Sequence, residues 1–232
     1  MISIETHLRQ MEALYGGAIQ QPTLEASSTN QPLPDDYTAN NEDIRWLANE
    51  IADFQDEHIT QYYESNAYGN VTRWQFFVTS IELLKVLNIG SMIDIGSANN
   101  HFVYLAKKAG VDAYGIEPRK RVLESSTKVF EREFGADRKY GFVGTIKTFA
   151  DYVLRPEVDL QVDCVSVMNF LHGDGHKPEE ITNLYKAFTE CAKYVLISEP
   201  RWGELGLEKP TNLLLIGEYI GVNPHVLYEI IK

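Results

Sequence analysis

The stretch from Ser91 to Pro118 constrains the fold of this chain more than any other. It runs Ser-Met-Ile-Asp-Ile-Gly-Ser-Ala-Asn-Asn-His-Phe-Val-Tyr-Leu-Ala-Lys-Lys-Ala-Gly-Val-Asp-Ala-Tyr-Gly-Ile-Glu-Pro. The apolar run Met92 to Ile95 is too short for a helix and stops at Gly96. Phe102, Val103, Leu105 and Ala106 then recur at helical spacing until Gly110, and Tyr114 to Ile116 supply a second apolar run. Strand, glycine turn, helix and strand make a β-α-β unit. Such units build open α/β sheets, whose ligands bind in the crevice at the carboxyl ends of the strands. Each of the two strands carries an acid near its end, Asp94 and Glu117.

Those acids narrow the ligand. A dinucleotide site wants Gly-x-Gly-x-x-Gly, so that the backbone can approach a pyrophosphate at the helix N-terminus. This loop has only Gly96, followed by Ser97-Ala98-Asn99-Asn100-His101, and the charge of Asp94 disfavours a pyrophosphate. A cationic ligand that carries a ribose fits better. S-adenosylmethionine brings an ammonium and a sulfonium to such a turn, and a ribose diol to an acid at the end of the second strand. Glu117 follows Asp94 at about the 20-residue offset expected of a ribose acid.

At these residues the chain resembles the class I S-adenosylmethionine-dependent methyltransferases. Ile93-Asp94-Ile95-Gly96-Ser97 looks like the family's glycine motif, and Tyr114-Gly115-Ile116-Glu117-Pro118 like its ribose-binding acid motif. The family usually has further glycines where this chain has Ala98 and Asn100. The resemblance implies a doubly wound, Rossmann-like α/β/α sandwich with a mostly parallel sheet of six or seven strands and an N-terminal helical extension. It also implies methyl transfer from S-adenosylmethionine to a small or medium-sized acceptor, with Asp94, Gly96, Ser97 and Glu117 on the cofactor. Two other functions stay open at this level: a catalytically silent binding module of the same fold, and methylation of RNA or protein.

Before the β-α-β unit, residues 1–80 read as a helical extension and residues 81–232 as the methyltransferase-like domain. Ser3 to Tyr15 forms a short amphipathic helix, with Ser3 as N-cap and Ile4, Leu8, Met11 and Leu14 near one face. Residues from about 16 to 41, rich in Gln, Pro, Ser, Thr and Asn, read as a linker. Asp43 to Phe54 returns to helical periodicity, and the aromatic stretch Gln61 to Asn70 follows it. Tyr62, Tyr63 and Arg73 resemble the cap that many small-molecule methyltransferases place over the cofactor, with Arg73 on its carboxylate. Trp74 to Leu87 is a helix whose Phe77, Ile81, Leu84 and Leu87 should pack on the sheet.

After Glu117, Val122 to Phe134 is the second crossover helix, ended by Gly135, and Tyr140 to Gly144 a third strand. Thr145 and Ile146 stand where family members hold adenine, and equally suit turn and core. Val162 to Met168 is the fourth strand, closed by Asn169. The resemblance puts Met168 and Asn169 beside the sulfonium and His172 on the acceptor side, where a histidine suits a general base because the unperturbed imidazole titrates near neutral pH. Pro178 to Ala192 is a helix and Tyr194 to Ser198 a fifth strand, followed by Trp202 at the sheet edge. The acceptor pocket is expected between Tyr62, Tyr63, His172 and Trp202. Pro210 to Tyr219 reads as a further helix before a last strand from His225 to Ile231. Alternatively, Leu213 to Ile220 and Val226 to Ile231 form a hairpin.

Charge and cysteine content set the setting. A formal net charge of −12 opposes a large nucleic-acid footprint. The densest positive group is Lys107, Lys108, Arg119, Lys120 and Arg121, expected on solvated helix faces. Cys164 and Cys191 fall in a strand and a helix at no metal or disulfide spacing. With neither a signal peptide nor a membrane-length apolar run, a cytoplasmic protein without metal or membrane partner is the expectation.

Overall fold

Strand β1 (Ser91–Ile95) sends Met92 into one apolar cluster and Ile93 and Ile95 into another, and this alternation sets the architecture. The computed structural model describes residues 2–19, 73–98, 100–167, 177–198, 210–219 and 225–231. The other strands are β2 (Asp112–Glu117), β3 (Gly141–Val143), β4 (Val162–Val167), β5 (Ala192–Ser198), β6 (Leu213–Tyr219) and β7 (His225–Ile230). They form one seven-stranded sheet in the order β3-β2-β1-β4-β5-β7-β6. The first five strands pair in parallel, while β7 runs antiparallel to both β5 and β6.

Six α-helices are described: α1 (Ile4–Tyr15), α2 (Arg73–Val86), α3 (His101–Lys108), α4 (Lys120–Phe134), α5 (Ile146–Val153) and α6 (Pro178–Cys191). On one face of the sheet, Ile81 and Leu84 of α2, Phe102 and Val103 of α3 and Val129 and Phe130 of α4 cover Met92, Ala113, Cys164 and Leu196. On the other, Leu8 and Met11 of α1, Phe149 and Val153 of α5 and Ile181 and Phe188 of α6 cover Ile93, Ile116, Val165 and Ile197. A sheet buried on both faces explains why its parallel strands read as continuous apolar runs. The fold is the doubly wound α/β/α sandwich the sequence implies.

Local chemistry starts and stops these helices where expected. Ser3 Oγ accepts from the Thr6 amide at 3.2 Å and caps α1. Pro178 opens α6 with Glu179 and Glu180 in its first turn. Gly110 and Gly135, past the ends of α3 and α4, take φ of 89° and 98°, which side-chain-bearing residues resist.

Helix α1 belongs to the sandwich. Glu12 Oε1 accepts from the amide of Val143 on edge strand β3 at 2.9 Å, and Glu12 Oε2 from Lys139 Nζ at 2.5 Å. His7, buried, meets the Tyr152 hydroxyl at 3.0 Å. Leu14, expected on the packing face, is exposed. At about 100° per residue it falls roughly 120° from Leu8, and Tyr15 packs on the core instead.

Three further points differ from the sequence reading. The segment 213–219 is strand β6, so the C-terminal hairpin is correct and the helix over Pro210 to Tyr219 is not. Helix α5, which the sequence reading passed over, follows Thr145. The basic group departs from expectation in two members only: Lys107 Nζ is buried 4.8 Å from the Tyr140 ring centroid and 3.4 Å from Asp112, and Arg119 pairs with buried Glu117, whereas Lys108, Lys120 and Arg121 are exposed as expected. Both cysteines are buried thiols that form no disulfide. Among the described residues no helix is long and apolar enough to cross a membrane, and no group of His, Cys, Asp or Glu forms a metal site.

Candidate functional site

Strand pairing lines up four residues across the sheet. Asp94 of β1 is in register with Ser166 of β4 and with Gly115 of β2, and Gly115 with Gly141 of β3. In a strand, residues two apart share a face. By that rule Asp94, Gly115 and Ser166 share the face of Met92, Ala113 and Cys164, which α3 covers. One end of the row therefore carries an acid and a hydroxyl, and the other end is bare backbone.

The bare end makes room for the turn between β1 and α3. A Cβ on Gly115 would collide with Asn100 Oδ1 and Ser97 Oγ, and one on Gly141 would meet Asn100 Nδ2 at 2.7 Å. The turn is anchored by the Gly96 and Ser97 amides, which donate to the Ile116 carbonyl at 2.8 and 3.1 Å. Its backbone is left-handed at three points, Gly96 (φ 76°), Ala98 (φ 47°) and Asn100 (φ 60°). So Ala98 and Asn100, standing where the resembled family has glycines, still adopt the conformation glycine favours.

Two buried carboxylates flank this turn. Ser166 Oγ donates to Asp94 Oδ1 at 2.7 Å. Burial pushes the Asp94 carboxyl up to about 7; the Ser166 hydrogen bond opposes the rise and the Glu117 carboxylate adds to it. Glu117 Oε2 accepts from the Ala98 amide at 3.2 Å. Glu117 Oε1 accepts from the Arg119 amide at 3.2 Å and from Arg119 Nε. Among the described residues, Ser97 Oγ and Asn100 Oδ1 are buried without a hydrogen-bond partner. An orphaned buried hydroxyl beside two carboxylates is a costly arrangement unless a ligand completes it. The neighbouring His101 is buried, and burial holds it near pKa 3, so it adds no positive charge here.

The structure thus brings together Asp94, Gly96, Ser97 and Glu117. Thr145 and Ile146 lie just beyond β3, whose end is tied to the same place by the Gly144 amide donating to the Glu117 carbonyl at 3.2 Å. Thr145 caps α5 with a reciprocal bond to Thr148, and Ile146 is buried in the core. Arg73 is the first residue of α2, and only that placement is described. Tyr62, Tyr63, Met168, Asn169, His172 and Trp202 lie outside the described residues.

Sequence reasoning missed four participants: Ser166, Gly115, Gly141 and the Arg119 side chain. A lone serine inside the apolar run Val162 to Val167, opposite a strand with a lone acid, was a usable signal for Ser166. Gly115 stood in a quoted motif, but its purpose depends on a register that sequence does not show.

No family model and no curated protein sequence matches the chain. Solved structures do. That of yhhF from Escherichia coli, named as a methyltransferase, superposes with a TM-score of 0.53 over 67% of this chain and 86% of its own, at 16% identity. The bifunctional kinase-methyltransferase WbdD superposes with a TM-score of 0.50 over 70% of this chain at 15% identity, and a monomeric form of WbdD with 0.51 over 73% at 18%. The chain spans less than half the length of those WbdD structures, 40% and 44%. What the chain shares with these methyltransferase structures is the fold, the doubly wound α/β/α sandwich.

Proposed function

We propose that a chain with this fold and this crevice transfers a methyl group from S-adenosylmethionine to a small or medium-sized acceptor. The observation that carries the reading is the pair of buried carboxylates around a left-handed turn with an orphaned serine hydroxyl. The donor set fits the cofactor: Glu117 suits the ribose diol, Asp94 an ammonium, and Ser97 Oγ has a hydrogen bond to give that no described residue takes. The cofactor, when bound, supplies a methyl carbon made electrophilic by its sulfonium.

The residues of the chain then bind, orient and exclude water, and alignment of acceptor and methyl accounts for most of the rate such a transfer needs. Gly96 lets the turn pass close to the ligand, and Thr145 and Ile146 border the adenine end. Arg73, Met168 and Asn169 are assigned to the methionyl end by resemblance. His172 is assigned to the acceptor as a general base, with Tyr62, Tyr63 and Trp202 as the pocket walls.

Calorimetry with S-adenosylmethionine and S-adenosylhomocysteine tests the reading. Gly96→Arg and Glu117→Ala are expected to abolish binding, and unchanged affinity in both would overturn it. A second reading, a module that binds no cofactor, is favoured by the ion pair that already occupies Glu117. Binding by the wild-type protein below millimolar concentration excludes that alternative. Methyl-labelled cofactor in a cell extract, fractionated into small molecules, protein and nucleic acid, identifies the acceptor class.

A further inference from the structure

The hydrogen-bond accounting at Glu117 leaves one place short. A carboxylate offers about four lone-pair positions, two on each oxygen. On Oε1 both are taken, by the Arg119 amide and by Arg119 Nε, while among the described residues Oε2 holds only the Ala98 amide. A vicinal diol that engages both oxygens therefore finds Oε2 open and Oε1 filled. The two backbone donors belong to the turn and to the start of α4, so neither can leave without moving those elements. The guanidinium can leave, because it ends a long side chain that is 23% exposed, whereas Glu117 is 1% exposed. Arg119 is the N-cap residue of α4, yet its side chain makes no cap hydrogen bond and turns back to the acid two residues earlier.

From this geometry, and resting on the cofactor reading above, we infer that Arg119 is a latch on the ribose acid. It neutralises Glu117 while the crevice is empty, and must release Oε1 for the ribose diol to bind both oxygens. The pair lowers the free energy of the empty state alone, so it subtracts from cofactor affinity by the amount its release costs. Sequence motifs give no hint of this, since the family's acid motif ends before Arg119. The latch also reconciles a buried carboxylate that is already ion-paired with a role in binding.

The test compares S-adenosylhomocysteine binding by wild type, Arg119→Met, which keeps the side-chain bulk and removes the donors, and Arg119→Lys, which keeps the charge. Because the arginine is partly exposed, the expected gain for Arg119→Met is modest, about three- to tenfold tighter binding. Arg119→Lys stays near wild type. Raising the salt concentration screens the pair, so it tightens binding by wild type more than by Arg119→Met. Thermal unfolding gives a second readout: Arg119→Met lowers the midpoint of the free protein, and the deficit closes under saturating ligand. Equal deficits with and without ligand, at wild-type affinity, make Arg119 purely structural and overturn the latch. Weaker binding by Arg119→Met makes it a residue that holds the ligand and overturns the latch too. Binding by neither protein at millimolar ligand removes the cofactor reading and the latch with it, an outcome distinct from wild-type binding without a gain.

Discussion

Ser166 Oγ donates a 2.7 Å hydrogen bond to Asp94 Oδ1 across the β4–β1 pair, and both side chains are buried. The hydroxyl favours the charged carboxylate, but burial outweighs it and pushes Asp94 up to about 7. A folded-state pKa raised above the unfolded one has a definite sign. The contribution to stability is full below about pH 4 and is lost as pH rises through about 7. The interval from 3.8 to about 7 corresponds to at most roughly 4 kcal/mol. Asp94→Asn, similar in size and always neutral, should match wild type near pH 4 and exceed it in stability at pH 8. Urea unfolding at the two pH values measures this, and a difference that does not grow with pH contradicts it. The same variant should lose cofactor affinity, since the charge that destabilises the fold is the one a cationic ligand needs.

A second prediction concerns Ala98, held at φ 47° and buried. Left-handed backbone costs a side-chain-bearing residue about 1–2 kcal/mol. Replacing it by glycine relieves that strain but forfeits a buried methyl, about 0.8 kcal/mol, and adds chain entropy to the unfolded state, about 0.5–1 kcal/mol. Ala98→Gly should therefore lie within about 1 kcal/mol of wild type. Ala98→Val puts a β-branched residue in the same conformation and should cost more than about 2 kcal/mol. If chemical denaturation shows the two variants equally stable, the turn is not left-handed at this position.

The legibility of this chain followed the range of the interactions involved. The β1–α3–β2 unit could be read because each element declares itself within a few residues: an apolar run, Gly96, the helical spacing of Phe102 to Ala106, then Gly110. The two acids could be read for the same reason. The run Leu213 to Ile216 suits helix and strand alike, and pairing with β7 decided it. Helix α5, at eight residues, is too short to show a period clearly, and its cap Thr145 equally suits a turn or a ligand contact when read from sequence. Gly141 and Ser166 matter through alignment with Asp94 and Gly115, residues far apart in sequence, and no local pattern carries that.

The Glu12 carboxylate joins two interactions that substitution can separate. The ion pair with Lys139 is partly exposed on both sides, so it is worth little, at most about 1 kcal/mol. The bond to the Val143 amide satisfies a donor on the edge of the sheet, and leaving such a buried donor unpaired costs about 1–3 kcal/mol. Glu12→Gln keeps an acceptor for Val143 and should destabilise by less than about 1 kcal/mol, whereas Glu12→Ala should cost about 2 kcal/mol. The Glu12→Ala deficit should persist in high salt. A deficit that vanishes with salt would assign the stabilisation to the ion pair instead.

The last prediction tests the row of residues beneath the turn. Gly115 does not need its glycine for backbone conformation, because its φ is not positive. It needs it for space, since a Cβ there would collide with Asn100 Oδ1 and Ser97 Oγ. Gly115→Ala must therefore push the turn away from β2, and overpacking of this kind costs about 1–3 kcal/mol. The shift acts on the Ala98 amide that donates to Glu117, so cofactor affinity should fall at least about tenfold alongside stability. Gly110→Ala is the control: nothing lies within 4 Å of its added Cβ, and its strain at φ 89° is remote from the crevice. That variant should lose stability without losing affinity. Shortening the obstructing side chain in Gly115→Ala/Asn100→Ser should recover part of the stability, the two substitutions being non-additive because the groups touch. Additive losses in the double variant, with affinity unchanged in Gly115→Ala, would mean that the turn does not rest on the sheet at Gly115.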